Sequence, residues 1–471
     1  MRSYSMLVLV LAGSQIFSTA QNPPAQNPPV QNTDESRPTP ATALSGVLGI
    51  DSSVSEEDTG SDVPQIPALL GGPKMSLALR SELERSNYLR GGLNLGAAYD
   101  DNTLMTPSQP IGNTTYSVFP NISIEQARSR MRWAIGYAAG LTVNQRLSNR
   151  NQGSHDLNFD SQFRLSPHVN LHVSEDFSLT SGFFDSGIGG VAVGNGGPNA
   201  NLITPLSKQR SSSTVAEVNY HFALKDVVGA SGSFYDLHFS DVPQGFTLTN
   251  TQAATASVFW LHGFGRDWAG ISYRFQRVTF DPNGETRVHS IMAVNTMNLP
   301  GRLTVTGFFG PEYSDNHGLV PAGGGAQANF SEWSVTGGVE AGWQKEHTSV
   351  AAGYSRRINN GGGVLGAVRL QTVHGDVRQQ LFPGWAVTVG ANYGNNQSIT
   401  VAAPGSATSI NSASVGASLE RNLGKSLGLR LGYAHDFQDQ IGATDPTVAG
   451  RANGNRFFVT LGYQWARPLG R

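Results

Sequence analysis

From about Tyr88 to the end of the chain, apolar and polar residues alternate with a period of two. The clearest run is 131–144, where Met131, Trp133, Ile135, Tyr137, Ala139, Leu141 and Val143 alternate with Arg132, Ala134, Gly136, Ala138, Gly140, Thr142 and Asn144. The last run, 456–465, sets Phe457, Val459, Leu461, Tyr463 and Trp465 against Arg456, Phe458, Thr460, Gly462 and Gln464. Successive side chains of a β-strand point to opposite faces, so each run has one apolar, aromatic-rich face and one small or polar face. That is the signature of a strand with lipid on one side and water on the other.

The alternation predicts strands near 90–100, 116–128, 131–144, 154–164, 168–180, 212–225, 227–239, 252–264, 267–280, 285–298, 301–313, 328–343, 346–358, 364–380, 384–396, 408–422, 425–438 and 452–466. The sum is eighteen, and roughly sixteen to twenty fits the stretch 227–298, where the alternation slips. Every second connection is a tight turn (Arg128–Arg130, Ser166–Pro167, Pro383–Gly384). The intervening ones tend to be longer and richer in Gly, Asn, Pro and Ser (Asp101–Thr115, Ser181–Arg210, Gln438–Gly450). Short turns on one side and long loops on the other is the asymmetry of an outer-membrane barrel. The expected fold is therefore all-β: a single closed antiparallel transmembrane β-barrel over 88–471. A soluble stack of sheets needs no such phase.

Trp133, Trp268 and Trp385 fall at strand starts, and Trp343 and Trp465 at strand ends, so all five are expected at one depth, as an interfacial aromatic belt. Trp268 has the wrong parity for its strand, and Trp260 does not fit the belt. A lipid-facing Arg or Lys at mid-depth costs about 2–4 kcal/mol, so strand charges are expected inside. The lumen-facing candidates are Arg132, Asp160, Asp176, Glu217, Arg274, Arg302, Glu340, Arg369, Glu420, Arg430 and Arg456. They form either opposed fields across a constriction or ion pairs bracing the wall. Glu175 breaks an otherwise apolar face.

Residues 1–20 read as a signal peptide: Arg2, a short apolar core over Met6–Phe17, and a small-residue site at Ser18–Ala20. Residues 21–65 are Pro- and Gln-rich and cannot form a core, so a disordered periplasmic arm is expected. Residues 66–87 read as a short helix or linker near the barrel mouth, or as a plug. The Ser181–Arg210 segment is either an external loop or an inward constriction.

Charged residues are 14% of the chain, against roughly 25% in ordinary globular proteins, which suits a membrane wall. The net charge of −2 argues against nucleic-acid binding. There is no cysteine, hence no disulfide framework or thiolate metal site. The eleven histidines are scattered, and no HExxH spacing occurs. The glycines at 194–196 and 361–363 lack a phosphate-loop context and read as loop glycines. Neither an enzyme nor a cofactor nor a metal is expected.

GGLNLGAAYDDN (91–102), YSVFPNISIE (116–125) and RMRWAIGYAAG (130–140) resemble the opening of a group of β-barrel porins of Gram-negative bacteria, some associated with capsular or exopolysaccharide export. The residues carrying the resemblance are Tyr99, Asp101, Asn102, Pro120 and Tyr137. It implies an outer-membrane channel for hydrophilic solutes, or the barrel of a polysaccharide exporter. An exported scaffold or adhesin is a further alternative. The implied partners are the lipid bilayer, the outer-membrane assembly machinery and periplasmic export components. The closing aromatic, Trp465, is followed by ARPLGR rather than ending the chain.

Overall fold

The computed structural model describes residues 87–469 apart from 149–150, 181–206, 241–247, 282–283, 320–327, 363–364, 400–408, 425 and 442–449. The expectations for the signal peptide, the arm, the 66–87 segment and most of the Ser181–Arg210 loop lie outside these residues.

Among the described residues eighteen strands form one sheet. They are β1 (Tyr88–Asp100), β2 (Asn113–Arg128), β3 (Met131–Asn144), β4 (Gln152–Ser166), β5 (Val169–Thr180), β6 (Lys208–Ala223), β7 (Asp226–Ser240), β8 (Thr251–Phe264), β9 (Asp267–Phe280), β10 (Glu285–Leu299), β11 (Leu303–Leu319), β12 (Ala328–Lys345), β13 (Thr348–Gly361), β14 (Leu365–Phe382), β15 (Trp385–Ser398), β16 (Ser409–Asn422), β17 (Leu427–Ile441) and β18 (Gly450–Pro468). Each pairs antiparallel with its sequence neighbours, and β1 pairs with β18, so the ring is closed. Closure leaves no sheet edge at the ends of the sequence, and it is one of the two ways a chain can satisfy its backbone in hydrocarbon.

The register sorts the side chains into two sets. Leu95 of β1 lies opposite Val118 of β2 and Leu461 of β18, and all three belong to the exposed apolar face with Leu141, Ile271, Val389 and Phe457. Asp100, opposite Arg456 and Asn113, belongs to the other face, with Ser257, Arg274, Thr388 and Arg430, all buried. In a closed ring the second face is the lumen.

The tight turns gather at one end of the barrel, here the turn end, and the longer connections at the other, the loop end. At the loop end the ring is fastened by the segment following β1. The Asp101 carboxylate accepts from the Asn455 backbone N–H at 2.7 Å and from the Asn455 side-chain amide at 2.6 Å. The Asn102 side chain donates to the Asn453 carbonyl at 2.9 Å. The Asp–Asn pair that carried the family resemblance is thus the clasp between first and last strands.

Inward glycines let large side chains lie along the wall. The Phe458 ring fills the space a Cβ would take at Gly432, 2.0 Å from its ideal position, and Phe119 does the same at Gly140. An alanine at either place would drive the ring off the wall.

Candidate functional site: the lumen wall and an inward hairpin

The inner face divides into two arcs. From β14 round through β18 and β1 to β5 it carries charges in pairs. Arg378 meets Glu420 at 3.2 Å, and Arg430 bonds the same carboxylate. Arg456 meets Asp100 at 3.5 Å, Arg90 meets Glu125 at 3.4 Å, and His172 meets Asp160 at 2.7 Å. Access to solvent varies among them: Arg378 and Glu420 are 27% and 20% exposed, whereas Arg456 and Asp100 are each 10% exposed.

From β6 to β11 the inner face carries a large apolar cluster among buried serines and threonines. Val215, Val227, Phe259, Leu261, Met292, Val294 and Phe308 form one buried cluster, with Trp268 packed against it. The charges on this arc are shut away. Arg274 and Glu312 pair at 3.3 Å with side chains only 5% and 1% exposed. Glu312 also accepts hydroxyl hydrogen bonds from Ser290 at 3.1 Å and Ser334 at 3.3 Å. A buried carboxylate without such partners would cost several kcal/mol, so its bonding is a condition of its being there.

The last partner of Glu312 comes from elsewhere in the ring. The backbone N–H of Ile358 in β13 donates to it at 3.2 Å. β13 and β12 pair only from Lys345 with Thr348 up to Gly337 with Arg356. Above that level β13 leaves the wall. It continues with β14 as a hairpin that leans into the lumen (Arg357 pairs with Leu370, Asn360 with Ala367). Arg357 lies over the Phe308 ring at 6.0 Å, and Ala367 joins Ala253, Val278 and Phe280 of β8 and β9 in a buried cluster, with Tyr235 against it. Leu365, Val368 and Leu370 pack on Ile410 of β16. The hairpin therefore forms a second layer inside the barrel, between the β8–β11 wall and β16. The start of β14, Leu365–Val368, is apolar on both faces because both faces are covered.

Register places Arg132, Asp160, Asp176, Glu217, Arg274, Glu340, Glu420, Arg430 and Arg456 on the inner face. It brings together Arg430 with Glu420 and Arg456 with Asp100, while Arg132 and Glu340 stand apart from these pairs. Two candidates differ. Arg302 is not in a strand: it occupies the β10–β11 turn at φ 65°, after Gly301 at φ 84°, and is exposed. Two consecutive left-handed residues match the strand twist in a hairpin turn. Arg369 has the parity of Val373 and Val377, the apolar outer face. It bonds Glu332 on the inner face of β12 because the hairpin carrying it has turned inward.

The belt also changes by one member. Trp133, Trp343, Trp385 and Trp465 lie on the outer face toward the turn end. Trp268 points into the lumen. Trp260 takes its place outside, its indole N–H donating to Asp226 at 3.2 Å. Glu175 does stand on the apolar face, where it accepts hydroxyl hydrogen bonds from Ser212, at 2.7 Å, and Thr214.

The hairpin, Glu312, Arg357 and the β8–β9 surface it covers were missed from sequence. The available signal was LGAVRL (365–370), where the alternation of the flanking strand is lost and apolar residues stand on both faces.

No family model matches the chain, and no curated protein matches it. Solved structures of similar form include the outer membrane protein OpdK from Pseudomonas aeruginosa, at 9% identity and a TM-score of 0.41, covering 81% of this chain and 99% of that one. OpdL of the same organism has 11% identity and a TM-score of 0.40 over 81% of this chain and 99% of its own. The ferric citrate transporter FecA in its unliganded form has 8% identity and a TM-score of 0.43 over 81% and 79%. The functional reading of this chain rests on its own lumen.

Proposed function

We propose that the chain is an outer-membrane channel of a Gram-negative bacterium that passes small hydrophilic solutes through a lumen narrowed by the β13–β14 hairpin. The observation that carries this reading is the division of the inner face. One arc is buried under the hairpin, and the other keeps ion pairs with some access to solvent, Arg378 and Glu420 most of all, which a polar solute can meet in place of water. An apolar outer face with aromatics at the turn end supports a bilayer as its surroundings. The export signal and delivery to an outer-membrane assembly machinery belong to the same proposal, as does the absence of catalysis. Polysaccharide export has no comparable support, because the hairpin stands where an extended chain would thread.

The test is single-channel conductance of the refolded chain in planar bilayers. Reproducible openings that depend on salt concentration are expected. A barrel that inserts and stays closed to salt and small sugars overturns the channel reading.

A further inference from the structure

Where β13 leaves the wall, it leaves a seam. The edge of β12 from Ala328 to Thr336 lies beyond the β12–β13 ladder, which stops at Gly337 and Arg356. This position matters because of its depth. Trp343, on the same strand, marks the belt at the turn end. At about 3.4 Å per residue and a tilt near 40°, Thr336 stands about 18 Å above that belt and Trp333 about 26 Å. The apolar band of such barrels is about 25 Å tall, so the lower end of the seam, from Thr336 to Trp333, opens in the half of the membrane nearer the loops, and the rest stands above the band.

A sheet edge facing hydrocarbon is expensive, since its N–H and C=O groups find no partner in acyl chains. Two side-chain contacts bridge the seam from inside: Thr336 donates its hydroxyl to the Arg356 carbonyl at 3.1 Å, and Arg369 pairs with Glu332. Outside, the edge is flanked by Trp333, which is 72% exposed, with Tyr313 5.1 Å from it, ring to ring. Behind the bridges lie Ile358, Leu365 and Val368 of the hairpin. The hairpin residues, at 0–1% exposure, therefore close the seam from behind with an apolar surface, and the polar contacts lie at its threshold.

We propose that this seam is a lateral portal, through which an amphiphile with one apolar chain and a small polar head passes between the lumen and the outer leaflet. The head replaces the Thr336 and Glu332 contacts at the threshold, and the chain follows the hairpin residues. A second copy of the chain pairing along the β12 edge is disfavoured, because the bridging side chains already converge on that edge. The portal rests on the channel reading and extends its substrates from solutes to amphiphiles.

Photo-crosslinking tests it. The full chain is refolded into phospholipid vesicles containing a diazirine-bearing palmitic acid, illuminated, and mapped by peptide mass spectrometry. The portal predicts adducts on Trp333–Thr336 and on the hairpin residues Ile358 and Leu365–Leu370, which are buried behind the seam. Glu332→Gln, which weakens the bridge, should raise the hairpin adducts several-fold. Adducts confined to outward-facing belt positions in both proteins overturn the portal, as do chain-to-chain crosslinks along β12. Conductance of the same preparations separates the two readings: a conducting barrel with an unlabelled hairpin removes the portal and keeps the channel.

Discussion

The two arcs of the lumen use the same kind of ion pair to opposite ends. Arg274 and Glu312 are sealed at 5% and 1% exposure and hold a hairpin; Arg378 and Glu420, at 27% and 20%, line the open side. A sealed pair is a structural commitment, because neither partner can find water if the other is lost. A wetted pair is nearly neutral for stability and remains free to exchange partners. In a barrel, then, the value of a charge to folding and its value to transport run in opposite directions.

That contrast can be broken most directly at the hairpin. Shortening it so that β13 and β14 turn near Ser355 and Thr372 should raise single-channel conductance several-fold. Unchanged conductance would mean that the hairpin does not limit the path. Next in size is Glu312→Gln, which leaves Arg274 without its charge partner. Breaking a buried pair costs about 3–5 kcal/mol, whereas Arg378→Gln in the wetted arc, which leaves Glu420 its bond to Arg430, should cost no more than about 1 kcal/mol. Urea unfolding in detergent or bilayers compares the two, and equal losses would erase the distinction between the arcs. Gly432→Ala pushes Phe458 off the wall and should destabilise by about 1–3 kcal/mol while lowering conductance. The smallest effect concerns the tryptophans. In Trp-to-Phe variants that retain one indole each, brominated lipid should quench Trp260 and leave Trp268 bright.

Much of this architecture is legible in the sequence, for a physical reason. Lipid and lumen impose opposite demands on alternate residues, so runs such as 131–144 and 456–465 declare both their faces and their ends. The turn phase follows from the same constraint. The reading loses its grip where a strand stops dividing two solvents. The hairpin from Arg357 to Leu370 is covered on both sides, so its parity carries no information, and Arg369 appears on the wrong face. Arg302 was misplaced by extending the strand pattern through a Pro–Gly turn. Trp268 and Trp260 were exchanged because depth was weighed above parity, and parity decides which solvent a ring meets. Apart from Arg302 and Arg369, the charged candidates could be assigned to the interior residue by residue. Their pairing could not, since Arg456 meets Asp100 only because the ring closes.

The clasp at Asp101 and Asn102 has a consequence for how such a chain matures. Its bonds to Asn453 and Asn455 join residues 351 and 354 positions apart. The entropy of closing so long a loop grows only logarithmically, by about 0.6 kcal/mol for each doubling, so distance in sequence is a modest thermodynamic burden. The greater burden is time. Until the final strand arrives, the growing sheet has a bare margin at each end, and each invites pairing with a stranger. A short acidic–amide fastening at the loop end opposes reopening by holding the two margins in register once they have met. The motif that first suggested kinship therefore works as a latch on the closed ring, and its loss should be felt in the yield of intact barrels before it is felt in anything they carry.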